Sequence, residues 1–357
     1  MKIAFNILPL KSAHKDRGIG YYTQNLLHVL KQDQTLEIQE FINISEVRGA
    51  DVIHYPWFDF FFHSLPLKRS SPTVVTVHDV IPLKFAEHYP AGFRGKLNLI
   101  LQKWALKSSE ALITDSQSSK NDIVKYLKIP LEKIEVIYLA ADPQFKILPD
   151  AKLLYTKRKY KLPDQFLLYA GDANWVKNIP FLILGFNEII KSQNAAGLGL
   201  VLVGEVFLKK VEGIDHPELE SLKEVNRLIK EYNLEEKIIR LGKVEIEDLV
   251  AIFNLATLYI QPSIYEGFGL PILQSFASGL PTVAAKSGSL PEVGGNAAVY
   301  FDPYNLNQFS RTILEVLQNK YLREKLQKMG FEQLKKFSWK KVAEETKAVY
   351  KNAGDKR

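Results

Sequence analysis

The sequence contains no cysteine, which removes disulfide frameworks, thiolate nucleophiles and cysteine-ligated metal sites together and points to a reducing compartment, the cytoplasm. No apolar run approaches the ~20 residues of a membrane-spanning helix, so any membrane contact is expected to be peripheral. The first ten residues, MKIAFNILPL, lack the length and the small-residue cleavage site of a signal peptide and read as a β-strand. A P-loop is excluded because Gly-Lys-Ser/Thr is absent. A nicotinamide dehydrogenase is disfavoured because no strand is followed by a full Gly-x-Gly-x-x-Gly. What is present is ordinary for a globular enzyme: 357 residues, 46 % hydrophobic and 24 % charged, enough for two domains with real cores. The 47 basic against 40 acidic side chains leave +7, too modest for a dedicated nucleic-acid binder but compatible with an anionic ligand or surface.

Short apolar runs alternate with amphipathic stretches along the whole chain, the pattern of βαβ units around parallel sheets. Strands are expected at 2–8, 52–55, 73–77, 111–114 and 134–138, then at 166–170, 199–203, 238–241, 258–260, 282–284 and 299–301. Helices are expected at 21–30, 93–106, 179–190, 218–232, 246–253 and 270–278, with a helical tail from 306 to about 350. The Lys/Arg-rich stretch Ala151–Lys161 marks the expected domain boundary. The reading is an α/β protein with Rossmann-like domains at 1–160 and 161–335, and a C-terminal helix at 336–357 that crosses back to the first domain.

The most informative segment is Gln261-Pro-Ser-Ile-Tyr-Glu-Gly-Phe-Gly-Leu-Pro-Ile-Leu-Gln274. Gly267 and Gly269 allow close backbone approach to a ligand, and the helix starting near Leu270 aims unpaired N–H groups and its positive dipole end at the same spot. This is the signature of a phosphate site. Glu266 just before it would repel phosphate but could bind sugar hydroxyls. Chain reversal is the plainer reading of one Gly-x-Gly taken alone.

With its neighbours, the segment resembles family 4 of the retaining glycosyltransferases, two-domain GT-B enzymes that move a sugar from a nucleotide donor. The resemblance rests on seven pieces in order: Arg17-Gly-Ile-Gly20-Tyr-Tyr-Thr, Val77-His-Asp-Val-Ile-Pro82, Thr114-Asp-Ser-Gln-Ser-Ser-Lys120, Tyr169-Ala-Gly-Asp-Ala-Asn-Trp-Val-Lys-Asn178, Val201-Leu-Val-Gly204, the Glu266 segment and Leu290-Pro-Glu-Val293. It implies two Rossmann-like domains facing a central cleft, with the donor in the second and the acceptor in the first.

The resemblance assigns roles residue by residue. Glu266 holds donor-sugar hydroxyls; Phe268, Leu270 and the flanking glycines line the donor site. Gln274 stands where the family carries a second acid for the ribose hydroxyls. Lys177, with Asn178 beside it, neutralises the departing diphosphate. Asp172 stands where many relatives have an arginine, and Arg17 and Arg240 are the other candidate cations. Gly18 and Gly20 form the loop over the donor phosphates. His78 faces the transferred sugar without serving as a general base, because the leaving phosphate assists deprotonation of the acceptor. Asp-x-Asp, the metal signature of the other large glycosyltransferase fold, is missing, so neither metal nor cofactor is expected beyond the nucleotide-sugar co-substrate.

The style of His78-Asp-Val-Ile-Pro82 resembles bacterial mannosyltransferases of polysaccharide and glycolipid assembly, which implies GDP-mannose or a UDP-hexose as donor and a glycan or lipid-linked acceptor. A silent sugar-nucleotide binding protein and a nucleotide-sugar epimerase are the alternatives, and backbone contacts near Gly242–Val244 are the expected seat of base choice. Ser116 and Ser118 read as helix N-caps. The stretch 93–107 carries four basic and no acidic residues with apolar residues at helical spacing, either an anionic-membrane helix at the inner face or an ordinary helix packed on the sheet. The patch Trp57–Phe62 is either an acceptor floor or core.

Overall fold

The computed structural model describes residues 1–355 apart from 16, 193, 194, 196, 212 and 215. The chain forms two units, Met1–Ala140 with Phe337–Arg357, and Ala141–Lys336. Each is built on a six-stranded parallel sheet.

In the first unit the strands are β1 (Lys2–Asn6), β2 (Glu37–Phe41), β3 (Val52–Tyr55), β4 (Thr73–Thr76), β5 (Ala111–Thr114) and β6 (Ile134–Val136), in the order β2-β1-β3-β4-β5-β6. β3 and β4 are buried along their whole length, which is why they read as continuous apolar runs rather than alternating ones. β2 escapes the sequence reading because it is an edge strand, Glu-Ile-Gln-Glu-Phe, with only Phe41 buried. Thr76 of β4 lies beside Ile113 of β5, so the loops after these strands leave the sheet at one level and bring His78 next to Asp115. The helix Trp339–Gly354 belongs to this unit and buries Trp339, Val342, Val349 and Tyr350.

The second unit contains β7 (Gln165–Ala170), β8 (Leu198–Val203), β9 (Ile238–Leu241), β10 (Leu258–Gln261), β11 (Thr282–Ala285) and β12 (Ala298–Phe301), ordered β12-β11-β10-β7-β8-β9. Strand order reverses between β7 and β10, and open α/β sheets bind ligands beyond the carboxyl ends of the strands at such a switch point. Lys177 follows β7 and Glu266 follows β10.

One expectation needs correction. The basic stretch at 151–161 is not a linker, and the boundary placed at residue 160 falls inside the second unit. Asp150–Tyr160 is a helix held by burial of Thr156 and by Asp248, whose Oδ2 accepts from Lys159 Nζ at 2.5 Å and Tyr160 Oη at 3.0 Å. Its lysines read as a solvated linker because the partner carboxylate lies far along the chain. The tail is three helices, Leu306–Gln318, Lys320–Leu334 and Trp339–Gly354. Among the described residues no helix is long and apolar enough to cross a membrane.

Candidate active site

In the second unit the chain after β7 is stitched to the chain after β10. Ile264 N donates to Val176 O at 2.7 Å. Asn178, in the left-handed region at φ 57°, donates from Nδ2 to the carbonyls of Pro262 and Pro303 at 3.2 and 3.0 Å. These bonds carry Lys177 to Glu266, where its ammonium lies 2.8 Å from each carboxylate oxygen. Glu266 is 7 % exposed, and burying a charge at that depth requires a partner of opposite sign and further hydrogen bonds. Glu266 Oε1 obtains them from Gln261 Nε2 and Ser263 Oγ, both at 2.7 Å. Gln261 and Ser263 are themselves buried, and Tyr259 Oη donates to Gln261 Oε1. The carboxylate is therefore fixed by three side chains before any ligand arrives. Gln261 and Ser263 were missed as site residues, although both are polar residues within the same segment that ends β10 and leads to Glu266.

The loop is also held from behind. Ser289 Oγ donates to Glu266 O at 3.0 Å, so the Leu290–Val293 segment supports the loop backbone. Gly269 takes φ +93°, and a Cβ there would stand 2.6 Å from Leu290 Cδ2; both the left-handed conformation and the space demand glycine. Directly after it the helix Leu270–Ala277 begins with Pro271 in its first turn, a position where a missing N–H costs no helical hydrogen bond, and Ile272 N donates to Gly269 O at 3.0 Å. Phe268 is buried, and Gln274 is half-buried on the same helix. Asp172 accepts from Ala173 N at 2.7 Å. Arg240 is exposed and bonds Asn226, so it is occupied away from Glu266.

In the first unit His78 uses both ring nitrogens: Nδ1 lies 2.7 Å from Asp115 Oδ2, and Nε2 lies 3.1 Å from the carbonyl of Pro56. A carbonyl can only accept, so Nε2 carries a proton, and the carboxylate favours a second on Nδ1. Burial alone would lower the His78 pKa, but the charge and hydrogen bond of Asp115, then Asp79 and the Pro56 carbonyl, raise it. An imidazolium with both nitrogens engaged has no lone pair with which to take a proton. The edge of the His78 ring packs against Tyr22 with centroids 4.8 Å apart. From Tyr22 a buried chain continues through Thr76 Oγ1 at 3.0 Å, then His54 Nε2 at 2.9 Å, and from His54 Nδ1 to Tyr350 Oη at 2.6 Å.

Gly18 and Gly20 sit in the first turn of the helix Gly18–Gln32. At Gly20 a Cβ would stand 2.1 Å from the carbonyl oxygen of Lys15, so this glycine also has a packing reason. Ser116 is an N-cap, accepting from Ser119 N. Trp57, Phe58 and Phe60 are core, whereas Phe62 is exposed. Sequence reasoning passed over Asp115, Tyr22, His54 and Tyr350, which only the sheet register and the fold of the last helix bring near His78.

The sequence profile described as Glycosyl transferases group 1 matches residues 156–333, and that of Glycosyltransferase Family 4 matches residues 25–145. The chain is 30 % identical over 298 residues to O-antigen chain mannosyltransferase B of Escherichia coli, covering 82 % of this chain and 74 % of that one. It is 30 % identical over 275 residues to the serotype-specific mannosyltransferase WbdA of Escherichia coli, covering 76 % of this chain but only 32 % of that longer protein. Among solved structures, Anabaena HepE in complex with UDP and glucose superposes with a TM-score of 0.73 at 15 % identity, covering 98 % of this chain and 99 % of that one. The two parallel sheets are those of the GT-B fold, and the chain belongs to the group 1, family 4 glycosyltransferases.

Proposed function

We propose that the protein is a retaining, metal-independent glycosyltransferase that moves a hexose from a nucleotide sugar, GDP-mannose or a UDP-hexose, to a glycan or lipid-linked acceptor in polysaccharide or glycolipid synthesis, with mannose the favoured sugar. The observation that carries the donor assignment is the Lys177–Glu266 pair at the switch point, a few residues before a helix N-terminus: one cation for phosphate, one carboxylate for sugar hydroxyls, and the positive end of the helix that opens at Leu270. Support for mannose comes from the two Escherichia coli relatives, both mannosyltransferases, and support for a nucleotide-sugar donor from the UDP and glucose held by HepE.

In this reading the bond between the anomeric carbon and the diphosphate oxygen breaks while the acceptor oxygen attacks from the same face. The acceptor proton passes to the departing phosphate. Lys177 and the positive end of the helix that opens at Leu270 stabilise the charge that develops on the leaving group. Glu266, with Gly267, Phe268 and Gly269, orients the sugar; Gln274 offers the ribose a carbonyl oxygen; His78 contributes to recognition of the transferred sugar, and Gly18 and Gly20 to the phosphates. No metal or cofactor is required by this scheme. The protein works in the cytoplasm, with peripheral contact at the anionic inner face of the membrane where lipid-linked acceptors are found.

The test is thermal-shift screening with GDP, UDP and ADP, followed by transfer from the matching nucleotide sugars with and without chelator. Stabilisation by one nucleotide, transfer that survives chelation and an α-linked product from an α-linked donor are expected. Stabilisation by none of the three would remove the donor-site assignment.

A further inference from the structure

The helix Phe93–Lys107 is amphipathic in the reverse sense. At 100° per residue its Phe93, Leu97, Ile100, Leu101 and Trp104 fall within a sector of about 100°. That sector faces solvent: Phe93 is 80 % exposed, Trp104 73 %, Ile100 57 %, Leu97 50 % and Leu101 39 %. The opposite face, with Gln102, Ala105 and Leu106, is buried. The helix is held there by polar anchors: Gln102 accepts from Leu65 N and donates to Leu65 O, both at 3.0 Å, and Arg69 donates to Ala105 O at 3.0 Å. A second exposed aromatic, Phe62 at 70 %, lies nearby, since Asn98 Nδ2 donates to Phe61 O at 2.8 Å.

Charge flanks the apolar sector on both sides. Lys96, Lys103 and Lys107 border one edge, Arg94 borders the other, and the helix has no acidic residue. The Lys103 pKa is lowered by partial burial and then by the like charges of Lys107 and Lys128, so the positive field extends beyond the helix. An exposed apolar centre ringed by cations matches a bilayer interface, with aromatic and aliphatic side chains among the acyl boundary and cations among lipid phosphates. A protein partner or second copy would match the apolar centre but not by itself call for a ring of one sign.

We propose that this face, with Phe62, is the surface by which the protein sits on an anionic phospholipid bilayer. This deepens the membrane contact proposed above. The test is co-sedimentation of the full chain with phosphatidylcholine vesicles and with vesicles containing phosphatidylglycerol, in low and high salt. Trp104 emission provides a second readout, since Trp57 and Trp339 are buried and Trp175 is half-buried. Expected are salt-sensitive binding to the anionic vesicles only, a blue shift of emission, and at least a tenfold loss of partitioning in F93S/W104S and in K96E/K107E. Unchanged melting temperatures would show that both variants are folded. Transfer to a soluble acceptor should be unchanged, which separates this surface from the donor-site reading. No binding by the wild type, equal binding by either variant, or a wild-type dimer that F93S/W104S dissolves would overturn the proposal, the last in favour of a self-association surface.

Discussion

Lys177 and Glu266 form a bidentate ion pair, 2.8 Å to each oxygen, between residues that leave two adjacent parallel strands. Two opposite charges are thereby held at the switch point of the second sheet, where open α/β sheets ordinarily bind ligands. In the donor site proposed above, a diphosphate that binds Lys177 would share an ammonium that Glu266 already holds in place.

Replacing either member with alanine is expected to lower kcat by about 10²–10³, the range found when one preorganised electrostatic contact to a developing charge is lost. Gln274→Glu, which restores the second acid of the family motif, should change turnover by no more than a few fold. Steady-state kinetics with the cognate donor checks this. Near-normal rates in both alanine variants would sink the site.

Gln261 and Ser263 both donate to Glu266 Oε1, and we treat them as positioning residues. Gln261→Leu and Ser263→Ala should each raise the donor KM more than they lower kcat, by roughly tenfold, as for loss of a hydrogen bond to a charged group. Ser263→Thr should recover most of the loss, whereas a purely structural role would move melting temperature and leave the KM to kcat split unchanged.

The His78–Asp115 pair predicts a direction with pH. The folded pKa of His78 is raised above 6.5, so the stabilisation is fully present below the unfolded value and is lost as pH rises through the folded one. Asp115→Asn should bring the His78 titration down in proton NMR, because the carboxylate that raises it is gone. It should also flatten the difference in unfolding free energy from wild type on the alkaline side.

His54 acts in the opposite sense. Burial, followed by the charge of His78, depresses its pKa from 6.5 to about 3. It contributes stability that is whole above about 6.5 and declines by roughly 1.4 kcal/mol per pH unit below it, as the unfolded chain takes up the proton. Urea unfolding between pH 7 and 4 should show this slope, reduced in His54→Gln. Tyr350→Phe strands His54 Nδ1 in the core and should cost about 1–3 kcal/mol at neutral pH.

Most of the architecture was readable because parallel strands buried on both faces leave unmistakable apolar runs. β3 and β5, buried along nearly all their length, fall at their expected bounds. β2 was not readable because edge strands are not required to be apolar. The helix Asp150–Tyr160 was hidden because the Asp248 carboxylate that holds its Lys159 and Tyr160 is nearly 90 positions away. The Glu266 loop announced itself through its glycines, whereas Gln261 and Ser263 look like unremarkable polar residues until burial gives their hydrogen bonds weight. For the stretch 93–107 sequence alone left two readings open; helical spacing reports that a stripe exists but not which way it faces.

The first unit is closed by residues made after the second unit. His54 leaves the ribosome early, while the Tyr350 hydroxyl that occupies its Nδ1 follows only after the whole second unit has been synthesised. Domains ordinarily fold from the N-terminus as they emerge; here the earlier sheet must wait with β3, β4 and β5 lacking their final helix. The nascent chain consequently carries a long interval in which the second unit can complete before the first, and in which the uncovered first sheet is a natural client for chaperones.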